Sequence, residues 1–315
     1  MTRQYFGTDG IRGTVGQAPI TPDFALRLGH AVGRVLRRAQ PDATVLIGKD
    51  TRISGYMLES ALESGLISAG AGVMLLGPVP TPAVAHASVT RGVTGAMISA
   101  SHNPFEDNGI NFFAPGGRKL SDEVEERLEA ALDGLLAVGE PVTDEHRPGP
   151  EDRSAGEAWA AAVTASVPAG CLDGLHLVID CANGAASDWA PGVLEGLGAR
   201  VEVIHAAPDG TNINAASGST HPEDLQARVV ASGADVGLAF DGDADRVLAV
   251  DADGRLVDGD HLIAICAVDR HRRGELTDDT VVVTVMTNLG FRLAMEEHGI
   301  TVVETAVGDR YVLEA

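Results

Sequence analysis

Asp235-Val236-Gly237-Leu238-Ala239-Phe240 runs without a break into Asp241-Gly242-Asp243-Ala244-Asp245-Arg246. The first half is a short apolar run suited to a buried strand, and the second carries a carboxylate at every other position. An extended backbone would aim all three acids to one side. Converging anions repel and raise one another's pKa unless a cation sits among them. An all-oxygen donor set selects a hard cation, and Mg²⁺ with a phosphate as a further ligand suits it best. An EF-hand loop also opens with alternating acids, but it needs Gly at its sixth position and Glu at its twelfth. Arg246 and Ala252 stand there. A solvated acidic turn is the plain alternative.

Working outward, helix and strand signals alternate. Thr21-Pro22 supplies an N-cap and a first-turn proline for a helix with the stripe Phe24, Leu28, Val32, Val35 and Leu36. Strands are expected at 44–47, 73–76 and 93–99, with helices through Met57–Leu66 and from Asp122 to Leu135. The Pro-rich, charged stretch at about 138–154 reads as a linker. A second run follows, with strands at 175–179, 201–205 and 235–240 and a helix from Pro222. After Asp253-Gly254 a third run offers helix 261–268, strand 281–285, helix 289–298 and strand 302–304. The fold class is therefore successive α/β domains with mixed, mostly parallel sheets. The domains span 1–150, 155–253 and a partial third, 254–315.

Net charge is −22 over 315 residues, which makes nucleic acid and anionic membranes poor partners. Aromatic content of 4% leaves few stacking surfaces. No apolar stretch approaches the ~20 residues of a membrane span, and the N-terminus lacks a hydrophobic signal region. Cys171, Cys181 and Cys266 fit neither a zinc pattern nor a disulfide framework, so the cytoplasm is expected.

Other candidate loops lie where strands end, the usual ligand position in open α/β sheets. Thr94–Ile98 runs into Ser99-Ala100-Ser101-His102-Asn103-Pro104, where Pro104 biases Asn103 away from helix. Neighbouring side chains point apart in an extended loop, so Ser101 and His102 are not a ready nucleophile–base pair. An ordinary capped turn is the alternative. Gly7-Thr8-Asp9-Gly10-Ile11-Arg12-Gly13 reads either as a tight turn or as flexible backbone bringing Arg12 onto a phosphate. The chain has two lysines, Lys49 and Lys119. Lys49 opens the strand-end loop Gly48-Lys49-Asp50-Thr51-Arg52-Ile53-Ser54, a second candidate phosphate contact or simply a charged loop.

Taken together, these segments resemble the α-D-phosphohexomutase superfamily, and within it the hexosamine-phosphate branch most closely. Tyr5 to Gly13 is similar to its N-terminal signature, Thr94 to Pro104 to its phosphoserine loop, and Asp241 to Arg246 to its Mg²⁺ loop. Pro208 to Asn214 and Gly218 to Glu223 resemble further stretches of its second domain. The resemblance implies that Ser101 is the phosphorylated serine and that its phosphate joins Asp241, Asp243 and Asp245 around Mg²⁺. It implies phosphoryl transfer to a hexosamine phosphate through a 1,6-bisphosphate. Arg12, Lys49 and Arg246 would hold phosphate, His102 would relay a proton, and a homodimer is compatible with the pattern.

Two departures stand out. Superfamily members usually carry Lys where Asn111 stands, and Asn cannot titrate. They also have four domains, with a sugar-recognition loop in the third and a phosphate-clamping loop in the fourth; nothing follows Ala315, so a truncated third domain and exposed apolar surface are expected. Both favour a non-catalytic sugar-phosphate or Mg²⁺-binding remnant as the runner-up. A phosphoglucomutase or phosphomannomutase and an aspartate-nucleophile phosphatase rank lower.

Overall fold

The computed structural model describes residues 4–7, 10–138 and 149–315. Its first unit runs β1 (Ile11–Thr14), α1 (Pro22–Ala39), β2 (Thr44–Lys49), α2 (Ile53–Ser68), β3 (Gly72–Pro78), α3 (Thr81–Arg91), β4 (Thr94–Ile98), β5 (Asp107–Phe113) and α4 (Asp122–Val138). Helix α1 starts where Thr21 Oγ1 accepts the Phe24 N–H at 3.2 Å, and Arg37 and Arg38 favour its C-terminal dipole. Both faces of the sheet are covered, which is why its central strands are apolar throughout. Val45, Ile47, Ala96 and Ile98 face the α1, α2 and α4 side with Leu28, Leu58 and Leu62. Leu46 and Met97 face Val84 of α3. Each fully buried Leu contributes roughly 1.5–3 kcal/mol. A Cβ on Gly65 would lie 2.0 Å from Leu26 O, so α1 and α2 meet at backbone contact.

The expected linker falls mostly outside the described residues. Where the chain resumes, Leu75 N donates to Pro150 O at 3.0 Å and Asp152 N to Leu75 O at 2.7 Å. The segment is thereby laid along the otherwise open edge of β3.

The second unit comprises α5 (Ser154–Ala165), β6 (His176–Asp180), α6 (Ala190–Gly196), β7 (Arg200–Ile204), α7 (Glu223–Ser232), β8 (Val236–Phe240), β9 (Val247–Asp251) and β10 (Leu256–Val257). Helix α5 packs back onto the first unit, with Ala155, Trp159 and Trp189 joining the α3 side of its core. The third contains α8 (Gly259–Arg272), β11 (Thr280–Thr284), α9 (Leu289–Glu297), β12 (Thr301–Thr305) and α10 (Asp309–Glu314). Its parallel pair β11–β12 packs on Ala267, Phe291, Met295 and Ile300. Met286, Leu289 and Leu293 are exposed. No helix among the described residues is long and apolar enough to cross a membrane.

The two five-stranded sheets share one plan. Their orders are β1-β5-β4-β2-β3 and β10-β9-β8-β6-β7. In each, a parallel pair (β2–β3, β6–β7) gains a third parallel strand on its other side (β4, β8). An antiparallel strand (β5, β9) then returns beside it through a hairpin. The Ser101 loop is the hairpin β4–β5, and the Asp241 loop is the corresponding hairpin β8–β9.

Candidate active site

These two hairpins face one another. Ser101 is buried, with φ at +52°. A left-handed conformation costs a non-glycine residue roughly 1–2 kcal/mol and needs outside support. Ser101 Oγ donates to Asp241 Oδ2 at 2.6 Å and accepts from Arg246 Nη2 at 2.5 Å. Arg246 is anchored in turn by its Nε, which donates to Asp241 Oδ2 at 3.2 Å.

The three acids do converge, though not by strand alternation. The chain turns sharply after Phe240: Ala244 N donates to Asp241 O at 3.0 Å, and Ala244 itself has φ +55°. This turn gathers one oxygen from each of Asp241, Asp243 and Asp245 within 4.8 Å of one another. Asp241 and Asp243 are buried. Burial first, then the charges of Asp245 and Asp241, push Asp243 well above the usual carboxylate range. Burial and Asp241 push Asp245 up to about 6, with Arg246 opposing; its side chain is 40% exposed, so water screens it more than Asp243. Asp243 Oδ2 accepts from Thr81 Oγ1 at 2.6 Å, whereas Asp243 Oδ1 is buried without a hydrogen-bond partner. An orphaned buried carboxylate oxygen inside an all-oxygen cluster fits a hard divalent cation.

His102 Nδ1 lies 3.4 Å from Ser101 Oγ and is hydrogen-bonded to Arg246 Nη2. A guanidinium only donates, so Nδ1 is the acceptor there. Arg12 is not on a flexible loop: residues 11–14 form β1, where it pairs with Gly109 (Thr8 and Asp9 lie outside the described residues). A Cβ on Gly109 would lie 2.8 Å from both Arg12 Cγ and Ser99 O, which puts the Arg12 stem beside the serine loop. Lys49 is elsewhere. It is buried in an ion pair with Glu59, 4.1 Å over the Tyr56 ring, in a separate pocket of about 120 Å³. Asn111 is buried on β5, opposite Met97.

Sequence reasoning missed the residues that hold the hairpins together. Arg52, completely buried, donates from Nε to Asp50 Oδ2 (2.9 Å), from Nη1 to Pro104 O and to Asp107 O (3.0 Å), and from Nη2 to Ser101 O (2.9 Å) and Asn103 O (2.8 Å). Asn214 Nδ2, from the second unit, reaches the same Ser101 O at 2.9 Å and Asn103 O at 3.0 Å. Thr81 N donates to Asp243 O at 2.8 Å and Thr51 Oγ1 to Asn183 O at 2.6 Å, both across the seam. The one sequence signal was Asp50-Thr51-Arg52 at a strand end, opposite charges two residues apart.

Gly242 is where the hairpins touch. A Cβ there would lie 2.6 Å from Ser101 O and 2.8 Å from Asn214 Nδ2. Gly242→Ala is therefore expected to lower unfolding stability by about 1–3 kcal/mol in urea titrations. Gly192→Ala, in α6 with nothing within 4 Å, should be neutral or stabilising. Equal effects would show that the seam is loose.

Comparison with known proteins identifies the family. Residues 3–136, 146–254 and 258–315 match the family models described as Phosphoglucomutase/phosphomannomutase, alpha/beta/alpha domains I, II and III. The chain is 53% identical over 317 residues to the phosphoglucosamine mutase of Pseudomonas putida (strain W619), covering 99% of this chain and 70% of that protein. It is 54% identical over 321 residues to that of Polaromonas sp. (strain JS666), covering 100% and 71%. Among solved structures, a putative phosphomannomutase from Thermus thermophilus superposes with a TM-score of 0.85 at 26% identity, covering 99% of this chain and 71% of that one. At this identity and coverage, the chain belongs to the phosphoglucosamine mutase family.

Proposed function

We propose that this chain acts as an isomerase on hexosamine phosphate, interconverting glucosamine 6-phosphate and glucosamine 1-phosphate with Ser101 as phosphoryl carrier. The observation that carries the reading is Ser101 Oγ at 2.6 Å from Asp241 Oδ2, a contact between hairpins of two different sheets. In the forward half-reaction the P–Oγ bond of phosphorylated Ser101 breaks and a P–O bond to the free sugar hydroxyl forms. Arg246 moves from His102 Nδ1 to the transferring phosphoryl group, the freed Nδ1 takes the hydroxyl proton, and His102 returns that proton to Ser101 Oγ as the P–Oγ bond breaks. The resulting 1,6-bisphosphate turns over and returns its other phosphoryl group by the reverse steps.

Loose phosphoryl-transfer transition states need alignment and charge neutralisation above all. Arg246 stands at Oγ already, and Arg12 adds positive charge from β1. Asp241, Asp243 and Asp245 would hold Mg²⁺, which supplies Lewis-acid neutralisation of the phosphoryl oxygens when bound. Lys49, the remaining candidate phosphate contact, is paired with Glu59 at a separate pocket.

Incubation with Mg²⁺ and glucosamine 1,6-bisphosphate, followed by phosphopeptide mapping, should place phosphate on Ser101 and nowhere else. Ser101→Ala should take up none. Label on another residue, or undiminished label in the alanine variant, would rule the serine route out. Asn111, where the resemblance implies a titratable lysine, favours one other reading: a sugar-phosphate binder that holds its ligand without turnover. That reading requires tight sugar-phosphate binding with no label at all.

A further inference from the structure

The carbonyls of Ser101 and Asn103 are each claimed twice, by Arg52 Nη2 from the first unit and Asn214 Nδ2 from the second. A carbonyl oxygen has two lone pairs, so both are saturated. All five guanidinium N–H donors of Arg52 are engaged, four of them on the backbone of residues 101–107. The other side of the loop is fixed by a relay: Ser99 Oγ donates to Asp50 Oδ2 at 2.6 Å and accepts the Ser101 N–H at 2.8 Å. The backbone of Ser101 is thus held at its carbonyl and its amide, and its left-handed conformation leaves Oγ aimed at Asp241. On the serine loop Arg52 and Asn214 bond backbone carbonyls, not Oγ.

We propose that Arg52 and Asn214 are positioning residues for phosphoryl transfer, and that Asn214 makes the reactivity of Ser101 conditional on docking of the second unit. The inference rests on the Ser101 reading given above. Arg52 supplies the part of the clamp that belongs to the first sheet. Asn214 completes it only when its own loop, anchored by Asn214 N donating to Ala182 O at 2.9 Å, is seated against the serine hairpin. A small rotation of the Ser101 peptide would swing Oγ off the line of transfer, and misplacement on that scale costs phosphoryl transfer far more than it costs substrate binding.

Arg52 is so deeply buried that its variants risk misfolding, so the test falls on Asn214. Asn214 has φ +56°, which glycine adopts freely and aspartate tolerates. Asn214→Gly removes the amide without straining the backbone. Asn214→Asp keeps the shape but turns a donor into an acceptor facing two carbonyls. The measurement is the rate of Ser101 phosphorylation by intact mass, with glucosamine 1,6-bisphosphate as donor at saturating Mg²⁺, across donor concentrations. Both variants should lose roughly 10- to 100-fold in maximal rate, with the half-saturating donor concentration within about threefold of the parent and unfolding still cooperative. Maximal rates within about twofold of the parent, or a change confined to half-saturation, would overturn the inference while leaving the mutase reading intact. No uptake by the unsubstituted chain would overturn both.

Discussion

Asp243→Asn is expected to stabilise the protein in the presence of a chelator and to abolish most of its stabilisation by Mg²⁺. The two effects have one origin. Asp243 is buried between Asp241 and Asp245, and its charge is disfavoured by burial and by both neighbours. Asparagine keeps an oxygen for Thr81 Oγ1 and removes the repulsion. It also removes a ligand charge, which should cost Mg²⁺ affinity at least as much as the roughly 10–100-fold lost with an outer-shell partner. A bound ion at 100 times its Kd stabilises by about 2.7 kcal/mol, and the variant should forfeit nearly all of that at the same concentration. Thermal melts in chelator and across a Mg²⁺ series read both effects. An unchanged Mg²⁺ response in the variant would mean that the three carboxylates do not form the metal site.

Arg52→Met should be the most damaging single change in the first unit, lowering unfolding stability by roughly 3–5 kcal/mol. Burial already raises the pKa of Asp50, and Arg52 is the chief influence opposing it. Without the guanidinium, Asp50 is a lone carboxylate in the core, and four carbonyls lose a donor together. Adding Asp50→Asn should recover part of the loss, so a double-mutant cycle should return a coupling of about 0.5–3 kcal/mol. Urea unfolding measures all three variants. A loss under about 1 kcal/mol for Arg52→Met would mean that water replaces the guanidinium.

Much of the fold could be read from local chemistry. Thr21-Pro22 announced α1, and the apolar runs at 44–47 and 93–99 announced the central strands, observed at Thr44–Lys49 and Thr94–Ile98. Strand β5 escaped because Asp107-Asn108-Gly109 has turn chemistry; tertiary pairing with β1 and β4 overrides it. Helix α3 carries its own Thr81-Pro82 start, but its buried face of Ala83, Val84 and Ala87 is too small to stand out as a stripe. Strand β9 follows the acids so closely that the hairpin was invisible until β8 paired with it.

The site was legible in part for the same reasons. Carboxylates and hydroxyls have few uses in such patterns, so Ser101 and the acidic triplet stood out. The triplet converges through a turn rather than along a strand, because Phe240 is the last residue of β8. Arg52 and Asn214 bond backbone carbonyls, which every residue offers, so no pattern of side chains marks them. Lys49 illustrates the converse: a cation at a strand end reads as a ligand contact, while the ion pair it makes in this structure is with Glu59, ten residues away on α2.

The hydroxyl and the acids sit on matching hairpins of two similarly built sheets, each carried by its own unit. Their separation is therefore set by how the first two of the three units dock. A substitution in residues 213–214 that alters how the two units dock can therefore reach the hydroxyl without touching it or the acids.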